Sequence, residues 1–130
     1  MKKWLVLLLT FALMTILIAC GTSNGSSNKS EEPINVSEEE IVSGELEIVA
    51  SNWKFDKEYY AIRAGEAIDI NVNSIEGVHG IEIVGTEYNN IISDKPASIS
   101  ITEPGTYQIR CSVPCGSGHR TMVSKLVVVG

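Results

Sequence analysis

The segment YQIRCSVPCGSGHRTMVSKLVVV, residues 107–129, contains two predicted strands and the loop that joins them. Alternate positions in 107–111 are apolar or carry a thiol, which is typical of a β-strand with one buried face. Residues 112–122 contain two glycines and one proline and show no apolar periodicity, so they are predicted to form a loop. The continuous apolar run 126–129 predicts a final strand that is buried on both faces.

The predicted loop carries side chains that bind soft metal ions. Two thiols, an imidazole and a thioether fall within twelve residues, at Cys111, Cys115, His119 and Met122. Copper prefers these ligand types to carboxylates, so the loop is a candidate copper site. His79 is the only other histidine, and it lies between glycines just before a predicted strand. A lone histidine is more often a surface or core residue than a ligand, but this position makes it the candidate for a further ligand.

The chain upstream of this loop predicts an all-β domain. Short runs of alternating apolar residues, each bounded by turn residues, occur at 46–50, 68–72, 99–101 and 107–111. No stretch has the length and periodicity of an amphipathic helix. Many short strands at regular spacing predict one Greek-key β-sandwich or barrel over residues 45–130.

Residues 1–44 predict a targeting signal followed by a tether. Two lysines precede an apolar run that is too short to span a bilayer comfortably, as in a signal peptide. Cys20 and the three residues before it resemble the lipobox of bacterial lipoproteins, so we expect residues 1–19 to be removed and Cys20 to be lipidated. An uncleaved anchor helix is the alternative, and both place the domain outside the cytoplasm, on the extracytoplasmic face of the cell membrane. Residues 20–44 are polar and acidic, which predicts a flexible tether that contains at most one capped helical turn at residues 37–40.

The charge of the chain excludes one class of partner. The net charge is −6, and removal of residues 1–19 with their two lysines makes it −8. An acidic chain without a basic run is not expected to bind nucleic acid, since cation-driven counterion release supplies most of that affinity. A basic protein partner is compatible with this charge.

The cysteine count leaves two interpretations open. With Cys20 carrying lipid, Cys111 and Cys115 remain as a pair outside the cytoplasm, where a disulfide is the ordinary state. A bridge between positions four apart closes a very small loop and stabilises little. Metal binding or redox chemistry is therefore favoured over a structural disulfide.

The spacing Cys111-x3-Cys115-x3-His119-x2-Met122, with His79 upstream, resembles the binuclear copper A (CuA) motif of cytochrome c oxidase subunit II. Residues 78–80, 85–89, 104–107 and 115–119 extend the resemblance, in particular to subunit II of ba-type oxidases. The resemblance covers roughly residues 45–130 and implies a cupredoxin-like fold. It also implies that the chain carries single electrons from a cytochrome c-like donor to a haem-copper oxidase or a related reductase. No catalytic residue and no activity of the chain alone are expected; it would be the electron-accepting subunit of a cytochrome c oxidase-type complex or a separate carrier.

The resemblance also implies a set of metal ligands, which are His79, Cys111, the carbonyl oxygen of Val113, Cys115, His119 and Met122. The two thiolates would bridge two copper ions. The first histidine and the methionine would complete one copper, and the second histidine and the carbonyl would complete the other. Pro114 departs from the family pattern, but it favours an extended residue before it and so fixes the direction of that carbonyl.

Two aromatic residues, Trp53 and Phe55, resemble the family's aromatic strand near the copper. Two positions apart, they would share one face of a strand and would be the place where electrons reach the centre. The alternative is that both are ordinary core aromatics.

Two other functions compete with electron transfer. The first is a copper metallochaperone or storage lipoprotein for oxidase assembly, which can also use Cys-x3-Cys and a distant histidine. The second is a thiol–disulfide oxidoreductase, which needs an exposed thiol of low pKa beside a helix N-terminus. The all-β pattern and the pair His119 and Met122 favour electron transfer over both.

Overall fold

The computed structural model describes residues 33–93 and 95–130, which form ten strands and two single turns of 3₁₀ helix. The strands are β1 (Ile41–Val42), β2 (Glu45–Ser51), β3 (Lys54–Phe55), β4 (Tyr59–Arg63), β5 (Ile68–Ser74), β6 (Gly80–Ile83), β7 (Ile91–Ile92), β8 (Ala97–Ile99), β9 (Gly105–Cys111) and β10 (Val123–Val129). The 3₁₀ turns are Glu38–Glu40 and His119–Thr121. The predictions for residues 1–19, for Cys20 and for the first part of the tether lie outside the described residues.

The strands form two sheets that pack face to face. One sheet has six strands in the order β1-β4-β10-β9-β6-β7, and the other has four in the order β3-β2-β5-β8. The pairs β1–β4, β4–β10 and β2–β5 are parallel, and the remaining pairs are antiparallel. Buried apolar side chains from both sheets form one continuous core. The predicted all-β sandwich is therefore confirmed.

Alternation along the strands explains which side chains form this core. In β2, Leu46, Ile48 and Ala50 are buried, whereas Glu45 and Glu47 are exposed and Val49 is half-buried. The same pattern holds for β5, because a strand with one face on the core buries every second residue. β10 instead buries three consecutive residues, 126–128, since it lies in the middle of its sheet between β4 and β9.

The folded domain begins before residue 45, which corrects the predicted boundary of the tether. Ile41 and Val42 pair in parallel with β4 and extend the six-stranded sheet. The 3₁₀ turn before them is capped as the sequence predicts, because the Ser37 backbone N–H donates to Glu40 at 2.9 Å. Arg63 pairs with Glu38, and the Tyr59 hydroxyl donates to Glu40 and lowers the pKa of that carboxyl to about 2. These contacts hold the last residues of the predicted tether against β4.

Three connections meet at one end of the sandwich. β9 ends at Cys111, which pairs with Ile81 near the start of β6. The loop 112–122 therefore leaves the six-stranded sheet beside the point at which the loop 75–79 enters it. In the other sheet the ends of β2 and β5 are in register, Ala50 opposite Ser74, so the β2–β3 turn lies at the same end. Within the described residues, no helix is long and apolar enough to cross a membrane.

Ile109→Ala tests the assignment of the core. Ile109 is fully buried in β9, so the change leaves a cavity and should lower the free energy of unfolding by about 2–5 kcal/mol. The matched change Ile75→Ala, at a side chain that is 62% exposed, should alter it by less than about 0.5 kcal/mol. Urea unfolding of both variants measures the difference, and equal stabilities would contradict the described core.

Candidate metal centre

Three side chains predicted as ligands converge at this end of the sandwich. The Sγ atom of Cys111 lies 3.6 Å from Sγ of Cys115 and 3.8 Å from Nδ1 of His79. The possible ligand atoms of these three residues all lie within 4.8 Å of one another. Sequence positions 32 and 36 residues apart are therefore brought into one cluster by the pairing of β6 with β9.

Backbone hydrogen bonds fix Cys111 at the centre of this cluster. Its N–H donates to the carbonyl oxygen of Met122 at 3.2 Å, which closes the loop on itself. The N–H of Ser112 donates to the carbonyl oxygen of Gly80 at 3.0 Å and continues the ladder to β6. Gly80 allows this close approach, because a Cβ atom there would lie 2.8 Å from Oγ of Ser112 and 2.5 Å from the side chain of Ile92.

His79 is fully buried, and its orientation is set by its own loop. Nε2 lies 2.8 Å from the carbonyl oxygen of Glu76, an acceptor, so Nε2 carries the proton. In the neutral imidazole Nδ1 is then the acceptor nitrogen, and it faces the Cys111 thiol. The His79 backbone N–H also donates to Oγ of Ser74 at 3.2 Å. A histidine held through one ring nitrogen with the other free is the arrangement that metal sites use.

His119 extends the donor cluster on the other side. Its Nδ1 lies 3.7 Å from Sγ of Cys115. It is the first residue of the second 3₁₀ turn, and its N–H donates to the carbonyl oxygen of Gly116 at 3.2 Å. The donors therefore follow one another as His79, Cys111, Cys115 and His119, with neighbours 3.6–3.8 Å apart.

The remaining predicted ligands lie beside this row of donors. The carbonyl oxygen of Val113 is 3.2 Å from Sγ of Cys111. Met122 is 1% exposed, belongs to the core cluster, and lines a cleft of about 250 Å³ together with Cys111 and His119. The structure thus places all six residues at one end of the domain.

Both thiols of the cluster are free. Burial, and then the neighbouring Cys111 sulfur, raise the pKa of the Cys115 thiol above its ordinary value. Near neutral pH this residue therefore carries its proton, and a metal must displace that proton to bind the thiolate.

The two aromatic residues predicted near the site have different positions. Trp53 lies in the β2–β3 turn and is 40% exposed, and its Nε1–H donates to the carbonyl oxygen of Cys115 at 2.9 Å. Phe55 lies in β3, is 7% exposed and packs in the core. The expectation that both share one face of a strand is wrong, because Trp53 precedes the strand.

Several contributors to the site were not predicted. Nothing in the sequence marks the carbonyl oxygen of Glu76 as the group that orients a histidine. Gly116 and Gly118 looked like ordinary loop glycines, yet both pack against the Trp53 side chain. Arg110 and Glu82 form an ion pair of 2.7 Å across β9 and β6 and line the cleft beside the ligands. Their positions alternate with buried residues and give no other signal.

The donor set fits a soft or borderline metal ion. Two sulfurs and two imidazole nitrogens with a carbonyl and a thioether nearby are ligands that copper accepts and that calcium and magnesium avoid. The group of possible ligands found among the described residues contains no carboxylate. The residues present therefore fit the copper cofactor that the sequence predicts.

The fold and the position of the donors define the class of protein, which is a cupredoxin-like β-sandwich with donors on loops at one end. The crystal structure of dithionite-reduced auracyanin from Roseiflexus castenholzii matches the chain with a TM-score of 0.53 at 17% identity. The match covers 68% of this chain and 98% of auracyanin. At this identity it shows the fold alone, and the predicted cupredoxin-like fold is confirmed.

Within that class the chain is homologous to the cytochrome c oxidase subunit 2 of Thermus thermophilus. The two are 31% identical over 67 residues, which are 49% of this chain and 50% of that subunit, so the match spans about half the length of the curated relative. A chain of a heme-copper terminal oxidase dimer solved by cryo-EM matches with a TM-score of 0.57 and 28% identity, over 98% of this chain and 95% of that chain. No protein-family profile matches the chain. The predicted resemblance to oxidase subunit II is confirmed.

Metal affinity should depend on pH because the Cys115 thiol must lose its proton. Between pH 7 and 8.5, above the ordinary pKa of histidine of about 6.5, the apparent affinity for Cu(I) should rise about tenfold per pH unit for each thiol proton displaced. Titration against a colorimetric Cu(I) chelator at several pH values measures this slope. Cys115→Ser should reduce the slope by one proton, and a slope that is unchanged in this variant would contradict Cys115 as a ligand.

Proposed function

We propose that this chain is an electron-transfer protein with a binuclear CuA centre, which passes single electrons to a terminal oxidase or a related respiratory reductase. The row of donors from His79 through Cys111 and Cys115 to His119, with neighbours 3.6–3.8 Å apart, is the observation that carries this proposal. Homology to cytochrome c oxidase subunit 2 over half of the chain supports it.

In the proposed centre the thiolates of Cys111 and Cys115 would hold the two copper ions. The resemblance to oxidase subunit II implies the other ligands, which would be His79 and Met122 for one copper and His119 and the carbonyl oxygen of Val113 for the other. Such a pair, when bound, accepts and returns one electron that both metals share. The chain supplies two thiolates whose spacing is set by the loop, and two imidazoles with their Nδ1 atoms turned towards the sulfurs.

The protein frame suits electron transfer better than chemistry on a substrate. His79, Cys111 and Met122 are 0%, 5% and 1% exposed, so substrate has little access to them. They are held by two strands and by the backbone hydrogen bond that closes the loop, which restricts ligand movement. A catalytic metal site instead keeps one position open to water or substrate.

Trp53 is the proposed place at which electrons reach the centre. Its indole is partly exposed, and a hydrogen bond connects it directly to the backbone of the ligand Cys115. The proposed donor is a cytochrome c-like protein, and the proposed acceptor is a haem-copper oxidase or a reductase. Phe55 lies in the core, so it is less suited than Trp53 to receive an electron from a partner protein.

The proposed location is the extracytoplasmic face of the cell membrane, with a lipid anchor on Cys20. The leader and lipobox of residues 1–20 and the acidic segment after them motivate this proposal. Mass spectrometry of the membrane-bound protein should find an acylated N-terminal Cys20 and no residues 1–19. An unmodified N-terminus would contradict the proposed lipid anchor and would leave the proposed metal centre unaffected.

Reconstitution with copper tests the proposed function. The purified protein should bind two coppers per chain, become strongly coloured, and give a seven-line electron spin resonance pattern in the mixed-valence state, because one electron is shared by two copper nuclei. Cys115→Ser removes a bridging thiolate and should abolish the seven-line pattern. A colourless protein with one Cu(I) per chain would instead identify a copper chaperone or store.

Met122→Leu tests the role of the thioether. Both side chains are apolar and of similar volume, so stability should change by less than about 1.5 kcal/mol. The reduction potential should shift while both coppers stay bound, since a weak axial sulfur ligand tunes the potential of a copper site. Protein-film voltammetry measures the potential, with Ile62→Leu in β4 as the control. Identical potentials for all three proteins would exclude Met122 as a ligand.

A further inference from the structure

The β2–β3 turn, Asn52 and Trp53, lies between the two loops that carry the donors. On one side Trp53 contacts the loop that contains Cys115 and His119. Its Nε1–H donates to the carbonyl oxygen of Cys115 at 2.9 Å. The indole also lies against Gly116, where a Cβ atom would be 3.1 Å from Nε1.

Gly118 shows how closely the turn and this loop fit. Its φ of −89° and ψ of 2° are open to any residue, so the backbone does not require glycine there. A Cβ atom at Gly118 would lie 2.4 Å from Cγ and 2.5 Å from Cβ of Trp53. The contact involves Cβ and Cγ of Trp53, so rotation of the indole alone cannot relieve it. Glycine is therefore required by the proximity of the turn.

On the other side Asn52 contacts the loop that contains His79. A Cβ atom at Gly77 would lie 2.8 Å from Oδ1 of Asn52 and 3.2 Å from Nε2 of His79, so the asparagine and the imidazole both pack against this glycine. The backbone N–H of Asn52 donates to Oε2 of Glu76 at 3.4 Å. The carbonyl oxygen of Glu76 is the group that orients the His79 ring.

We propose that the turn Asn52–Trp53 is a positioning element that fixes the two donor-bearing loops relative to each other. It acts on the metal through other residues, by holding the carbonyl group of Cys115 and the loop of His79. The nature of the metal rests on the proposed function, whereas the contacts of the turn do not. Trp53 is then a positioning residue in addition to its proposed part in electron uptake.

Two physical reasons support this role. A ligand on a surface loop is held more firmly by contacts with a neighbouring segment, and the turn supplies such contacts to the loop of His79 and to the loop of Cys115. Groups that orient metal ligands without touching the metal typically change metal affinity 10- to 100-fold when they are removed. An indole that is 40% exposed contributes little to the core. Its close packing against Gly116 and Gly118 therefore indicates that it supports the loop that carries Cys115 and His119.

The experiment compares four variants of the full chain with the wild type. Trp53→Phe keeps a ring but loses the N–H donor, Trp53→Leu loses both, and Gly118→Ala pushes the turn away. Gly105→Ala is the matched control, because a Cβ atom there meets only Tyr107 at an ordinary distance of 3.8 Å. Copper affinity, the electron spin resonance hyperfine pattern and the reduction potential are measured, together with the alkylation rate of Cys115 in the reduced, metal-free protein.

Trp53→Leu and Gly118→Ala should weaken copper binding roughly tenfold or more, alter the hyperfine pattern, and speed alkylation of Cys115. Trp53→Phe should give a smaller change in each quantity, because the ring still covers the glycines. Gly105→Ala should match the wild type. Thermal unfolding of the metal-free proteins separates these effects from a general loss of structure, and if Gly118→Ala fails to fold, the two Trp53 variants decide.

Wild-type affinity, hyperfine pattern and alkylation rate in both Trp53 variants would overturn the inference. A slower electron transfer from a donor protein as the only effect would also overturn it, since Trp53 would then serve electron uptake alone. Failure of the wild type to bind two coppers would instead overturn the proposed function. In that case the alkylation rates still decide whether the turn holds the loop.

Discussion

The ladder of hydrogen bonds at the end of β9 is the constraint on which the site depends. Cys111 is the last residue of a strand, and its N–H closes the loop onto Met122 while the next N–H reaches Gly80 in β6. Two consecutive residues thus fix the loop that returns to β10 and the strand that follows His79. A slip in the pairing of β6 with β9 would separate the histidine from both thiols, since successive side chains of a strand point to opposite faces.

The donors also depend on the packing of the two sheets. The loop of His79 starts from β5 in the four-stranded sheet and ends at β6 in the six-stranded sheet, so its position follows from the core between them. Met122 belongs to that core and is also a candidate ligand. A site built in this way is as rigid as the domain itself, because a close-packed interior yields little. Rigidity of this kind favours the exchange of electrons, which asks for little ligand movement.

Residue patterns predicted most of the strands and the candidate metal ligands. They failed where the structure depends on backbone groups or on contacts between residues that are distant in the sequence. Alternation revealed β2, β5 and β9 because burial on one face has a period of two, and a continuous apolar run revealed β10. Residues 41–42 were assigned to the tether, since two apolar residues after a run of glutamates give no periodic signal. The role of the Glu76 carbonyl group is independent of its side chain and cannot be read from the sequence. The sequence gives no reason for the glycine at position 118. The structure gives one, because Gly118 lies against Trp53 in the β2–β3 turn, far away in the sequence.

The burial of the donors carries an energetic argument about what they bind. The His79 ring satisfies Nε2 through the Glu76 carbonyl group, but Nδ1 faces only a sulfur at 3.8 Å. Buried polar groups with weak partners destabilise a fold unless a stronger interaction offsets the loss of water. Hydrogen bonding with the thiols supplies little, because sulfur is a weak donor and a weak acceptor. A soft cation satisfies all of these lone pairs together, whereas a hard cation would find no carboxylate in the described donor group. Burial also raises the pKa of the Cys115 thiol, so a metal that binds there must hold the thiolate strongly enough to displace its proton.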